Sequence, residues 1–253
     1  THIEKINNYD LLVVGGGGLL EVKPKNKNNF NLPLDEETLK LIKVPIVCFG
    51  LGINYFHGKP LEVFDENKKA RDALCALVDR STLFSLRNDS SYEIFKRLDI
   101  DQSLKDKVIE VPDLGMFFPR QLKRKDKLKN GLLQPALNGS PSLNIDRYHS
   151  EKLSLQLQNP EGTYEVITCD VEPRTAFSYK HFSQIVRTDN YEDAIDNYFR
   201  YDFSIGLRGH GQIIPVAINL PSLYLVTQPK VYFFAVKNDL LDFTVDIYEE
   251  NWY

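Results

Sequence analysis

Two short segments hold the residues best suited to gripping an anion. The first, Ser85-Leu-Arg-Asn-Asp-Ser-Ser91, places Arg87 between an apolar run and the start of a helical pattern. A fixed guanidinium and free backbone N–H groups converge there, with Asn88 and Ser91 adding neutral hydrogen-bonding groups, a combination that suits phosphate or carboxylate. The competing reading of Arg87 is an internal ion pair with Asp89 or Glu93. The second segment, Gly206-Leu-Arg-Gly-His-Gly-Gln212, sets Arg208 and His210 on either side of Gly209, with Gly211 following His210. Without side chains at those glycines a ligand can approach the backbone, and Gln212 offers one more donor and acceptor. An unperturbed histidine titrates near about 6.5, so His210 suits proton transfer or, as imidazolium, phosphate binding. Beside a core, a histidine also serves as an internally satisfied structural residue.

Two further segments are less specific. Gly15–Gly18 reads as a glycine run between a strand and a helix start, where the N–H groups of Gly16, Gly17 and Gly18 can cradle an anion. It reads equally as a turn that needs positive φ. Leu20 stands where a dinucleotide fingerprint wants glycine, and neither Lys nor Ser/Thr completes a P-loop. His57, in a Tyr-Phe-His-Gly loop, is a weaker acid or acceptor contact, or an exposed loop residue.

These segments follow strands. Apolar runs at Asp10–Val14, Pro45–Phe49, Thr82–Leu86 and Lys107–Val111 read as buried strands, while 61–80 and Asp89–Leu98 carry helical spacing and capping residues. A second series has an apolar stretch at 131–136, a helix near 146–157, a strand at Tyr164–Cys169, a helix at Asn190–Phe199, and strands at Asp202–Gly206 and Leu223–Val226. Strands nearly continuous in apolar residues and alternating with helices predict α/β architecture, with parallel Rossmann-like sheets covered on both faces. Ligands of such sheets bind at the carboxyl ends of the strands, where Gly15–Gly18, Gly50-Leu-Gly52, Ser85–Ser91 and Gly206–Gln212 lie.

At 253 residues the chain accommodates two cores of about 120 residues each. The basic, polar stretch 121–131 reads as an exposed linker between a domain at 1–120 and another at 132–253. A net charge of −4 advertises no nucleic-acid or anionic-membrane partner, so any anion site is local. The cysteines Cys48, Cys75 and Cys169 are widely spaced, without CxxC, and point to neither disulfides nor structural zinc. No apolar run approaches the roughly 18 residues of a membrane span. A soluble, cytoplasmic protein without metal or cofactor is the expectation.

Taken together, GGGGLL after an apolar strand, FGLGI, SLRNDSS, VPD and SIGLRGHGQIIPVAINLPSLYL resemble the polysaccharide pyruvyl transferase family in order and spacing. The resemblance covers roughly 10–115 and 200–238; 132–185 is much less recognisable. It implies a fold similar to the GT-B type of glycosyltransferase, with the acceptor side in the N-terminal domain and the donor side in the C-terminal one. It also implies phosphoenolpyruvate as donor, a carbohydrate as acceptor, and Arg87, Arg208 and His210 as the essential basic residues. Many family members have Arg-Asp or Arg-Glu where this chain has Arg87-Asn88. They also carry a strand–helix unit ahead of the glycine strand, so the first domain is expected to be short at its start. Because fold does not fix donor chemistry, transfer from a nucleotide sugar is the alternative activity, and carbohydrate binding without catalysis is a third.

Overall fold

The computed structural model describes residues 2–54, 64, 66–119, 122, 130–134, 163–168, 184–187, 191–206, 209–226 and 229–246. Residues 130–134, 163–168, 184–187, 191–194 and His210 are described by their backbone alone. The chain divides into two compact units, Thr1–Leu114 and Gly115–Tyr253.

Unit 1 carries four parallel strands, β1 (Leu12–Gly15), β2 (Ile46–Leu51), β3 (Leu83–Arg87) and β4 (Val108–Val111), in the spatial order β1-β2-β3-β4. Its helices are α1 (His2–Ile6), α2 (Glu36–Leu41), α3 (Lys68–Arg80), α4 (Ser91–Arg97) and α5 (Gln102–Asp106). Asp35 caps α2 by accepting from the Thr38 N–H at 2.9 Å, and Asn67 caps α3 by accepting from Ala70. Buried side chains of α2, α3 and α4, with Ile3 and Ile6 of α1 and Leu104 of α5, form one core with Leu12, Val14, Ile46, Cys48, Phe84, Leu86 and Val108. Strand side chains alternate between faces, so all five helices cover the same side. The register partners Val13, Val47 and Leu83 share the other side, as do Phe49 and Ile109 in the adjoining rows.

That second face is exposed at Val13 (58%), Phe49, Leu83 and Ile109, so the expectation of a sheet covered on both sides fails for unit 1. The cause is topological. Right-handed crossovers that always step in one direction deposit every helix on the same face. A second departure follows β1, where no helix starts. Leu20 pairs in parallel with Ile53 and Val22 pairs antiparallel with Phe30, so these backbone groups are claimed by strand-like bonds before a helical turn can close.

Unit 2 has six parallel strands: β5 (Asn130–Gln134), β6 (Thr163–Thr168), β7 (Gln184–Arg187), β8 (Phe203–Gly206), β9 (Ser222–Val226) and β10 (Thr244–Asp246). Their order is β10-β9-β8-β5-β6-β7. Counted from the unit's first strand, this is the doubly wound 3-2-1-4-5-6 arrangement, with its reversal between β5 and β8. Helices α6 (Tyr191–Tyr198), α7 (His210–Ala217) and α8 (Pro229–Lys237) belong to this unit. Ser204, Ile205 and Gly206 are consecutively buried, as are Tyr224, Leu225 and Val226, which is the pattern of strands covered on both sides. Asn130 and Gly131, read as linker from composition, are the first residues of β5. The helix expected near 146–157 lies outside the described residues.

Candidate functional site

The Gly206–Gln212 segment emerges at the reversal of the unit 2 sheet. Gly206 ends β8 opposite Gln134, the last residue of β5, so the segment leaves the sheet where doubly wound folds bind their ligands. Strand and helix meet there without spacer: a methyl group at Gly206 would stand 2.7 Å from the carbonyl carbon of Gly211. The α7 N-terminus is thereby seated against the strand end, with His210 as the first residue of the helix. Gly209 lies in open space, with nothing within 4 Å of the position a Cβ would take. Leu207, Arg208 and the side chain of His210 lie outside the description.

Gln212 completes the turn in an unusual way. It is 0% exposed, and neither its Oε1 nor its Nε2 has a hydrogen-bond partner among the described residues. A buried amide left unmade costs about 1–3 kcal/mol, so this side chain is a local concentration of unfavourable free energy beside the helix start.

At the carboxyl edge of unit 1, Arg87 is 6% exposed and lies between two carboxylates. Its Nη1 donates to Asp113 Oδ2 at 2.9 Å and its Nη2 sits 2.6 Å from Asp89 Oδ2. The Nε is buried without a partner. Burial outweighs the Arg87 charge and the bonds from Ser91 and holds the Asp89 carboxyl above the usual carboxylate range. The ion pair with Asp89 weighed above is therefore present, and Arg87 offers no unengaged Nη. Asp113, part of the Val-Pro-Asp motif, was not picked out as its partner. The signal was its position, directly after the neighbouring strand.

Ser91 is spent internally as well. Its hydroxyl donates to Asp89 Oδ1 and accepts from the Ile53 N–H at 2.8 Å. Asn88 is half-buried, and its Oδ1 lacks a partner. Gly16 and Gly17 have φ of 74° and 73°, and no atom lies within 4 Å of where their Cβ atoms would be. Both thus fit the turn reading and leave an open approach. A methyl group added at Gly18 would stand 3.1 Å from the Asn54 Cβ. With no helix behind this run, the helix-dipole part of the anion-cradle expectation falls away. His57 lies outside the described residues. Among the described residues no cluster of three His, Cys, Asp or Glu is placed to hold a metal, and no helix is long and apolar enough to cross a membrane.

A family model described as polysaccharide pyruvyl transferase matches residues 2–229. No curated protein matches the chain. Among solved structures, MnaA of S. aureus with UDP is similar at TM-score 0.51 and 10% identity, over 95% of this chain and 68% of that one. Accessory secretory protein 1,2 and 3 of Streptococcus pneumoniae gives TM-score 0.45 at 14% identity, over 90% of this chain and 44% of that one. Apo OtsA gives 0.46 at 10%, over 94% and 66%. The chain therefore spans less than half of the pneumococcal protein. The MnaA likeness shows the fold, two α/β units with parallel sheets.

Proposed function

Starting from the premise that the chain belongs to the polysaccharide pyruvyl transferase family, we propose that it moves the enolpyruvyl group of phosphoenolpyruvate onto two hydroxyls of a sugar, forming a cyclic ketal. The observation that carries this reading is that Gly206, which ends the strand before Arg208, stands at the reversal of a doubly wound sheet, and that the next helix opens with His210. Phosphoenolpyruvate brings a phosphate and a carboxylate, which need a fixed cation and helix-end N–H groups. Arg208 and the start of α7 supply both.

The chemistry is a proton transfer followed by two additions. A proton adds to the methylene carbon, leaving cationic character at the carbon that bears the phosphate ester. One sugar hydroxyl bonds to that carbon and gives up its proton. The carbon–oxygen bond to phosphate then breaks, and the second hydroxyl closes the ring as it loses its own proton. One of the two hydroxyl protons is thus retained in the new methyl group, and the other leaves with hydrogen phosphate. His210 is the group suited to exchanging these protons near neutral pH. No metal or cofactor enters this scheme. Unit 1 is the acceptor side, presenting the open Gly16–Gly17 turn to neutral hydroxyls.

A thermal-shift series tests this assignment, because a ligand bound by the native state raises its melting temperature. Phosphoenolpyruvate is expected to raise Tm and UDP to leave it unchanged. A shift with UDP and none with phosphoenolpyruvate would replace pyruvyl transfer by glycosyl transfer from a nucleotide sugar.

A further inference from the structure

Arg87 holds together the loops of three neighbouring strands. From β3, it reaches Asp113 in the loop after β4 and Asp89 in its own loop. Asp89 passes the connection to Ser91, and Ser91 to the Ile53 N–H beyond β2. The adjacent Gly52 N–H donates to Gly17 O at 2.9 Å, and Leu20 N–H donates back to Gly52 O at 3.0 Å. One buried guanidinium is thus linked, bond by bond, to the glycine turn at the far edge strand. Room for it is made by Gly52, where an added methyl group would stand 2.6 Å from the Arg87 Cζ and Nε.

From this arrangement we infer that Arg87 is a positioning residue, the pin of a buried clasp that sets the Gly16–Gly18 turn, and that it does not bind the anionic donor. Charge supports the assignment. One guanidinium faces two carboxylates, so the cluster has no surplus positive charge for a substrate carrying both phosphate and carboxylate. Geometry agrees, since each Nη is held by a carboxylate, the residue is 6% exposed, and the one N–H group without a partner, Nε, is itself buried away from water. The clasp rests on the proposed reaction only in the choice of phosphoenolpyruvate as probe.

The two roles of Arg87 predict opposite signs for one substitution. If Arg87 were a donor ligand held in reserve, Asp113→Asn would free it and tighten phosphoenolpyruvate binding, whereas Arg87→Lys would weaken it. As a clasp, both changes act in the same direction. Each should speed amide hydrogen exchange at 17–20 and 52–54 by about tenfold, lower kcat, and leave the dissociation constant for phosphoenolpyruvate within about twofold. Gly52→Ala, which displaces the guanidinium without altering any charge, should reproduce the exchange effect. Tighter donor binding in Asp113→Asn, or unchanged exchange in Arg87→Lys, would overturn the clasp. Exchange is read without ligand, so a wild-type protein that fails to bind phosphoenolpyruvate ends the donor reading and leaves the clasp to be judged by exchange.

Discussion

Both units are built from parallel strands, yet they expose different amounts of their sheets. Unit 2 reverses direction between β5 and β8, and β8 and β9 each bury three successive residues. Unit 1 steps one way through its four described strands, and β1 alternates between half-buried and exposed positions. A reversal therefore supplies two things together: helices for the second face, and a crevice where neighbouring loops part. In unit 2 the strand end at Gly206 and the start of α7 stand at that reversal. Unit 1 has no reversal among its described strands, and its carboxyl edge is closed by the Arg87 clasp.

Substitutions on covered and bare positions should separate the two units most clearly. Leu225→Ala in β9, where the side chain is 1% exposed, should cost about 2–5 kcal/mol in denaturant unfolding. Gly206→Ala, which drives a methyl group into the Gly211 backbone, should cost about 1–3 kcal/mol, whereas Gly209→Ala should be nearly neutral for folding because its surroundings are open. Gln212→Met should raise stability by about 1 kcal/mol or more, since it removes an unpaired buried amide while keeping its volume; a loss of stability would mean that the amide is satisfied.

Smaller effects belong to unit 1. Asp35→Ala removes the α2 cap and should cost about 1 kcal/mol at neutral pH. Bonds from the Thr38 hydroxyl and N–H, and then from Lys27, lower the Asp35 carboxyl from 3.8 to about 2. Its contribution is therefore present above 3.8 and is lost as pH falls through about 2, so melting curves of wild type and variant should converge across that window. Val13→Thr on the bare face should stay within about 0.5 kcal/mol of wild type.

The strands and their chemistry-bearing loops were legible because apolar runs of the right length ended in glycine, arginine or aspartate. Thr82–Leu86 and Asp202–Gly206 fall within a residue of β3 and β8. Short elements such as α1, α2, α5 and β10 were missed, being too brief to show periodicity. The helix expected after Gly18 failed because a partner strand distant in sequence captured Leu20, a long-range contact invisible to a local pattern. Arg87 shows the same limit within the site: its residue type and place after β3 were readable, but its partner Asp113 lies 26 residues away. Conversely, the significance of the Arg208–His210 segment sharpened only with strand order, which local pattern does not encode.

On this reading the cation holding the donor, Arg208, belongs to unit 2. Calorimetric titration of phosphoenolpyruvate into wild type and Arg208→Ala tests it most directly. The account predicts measurable binding by wild type and at least about tenfold weaker binding by the variant. Equal affinity in the two proteins would contradict it.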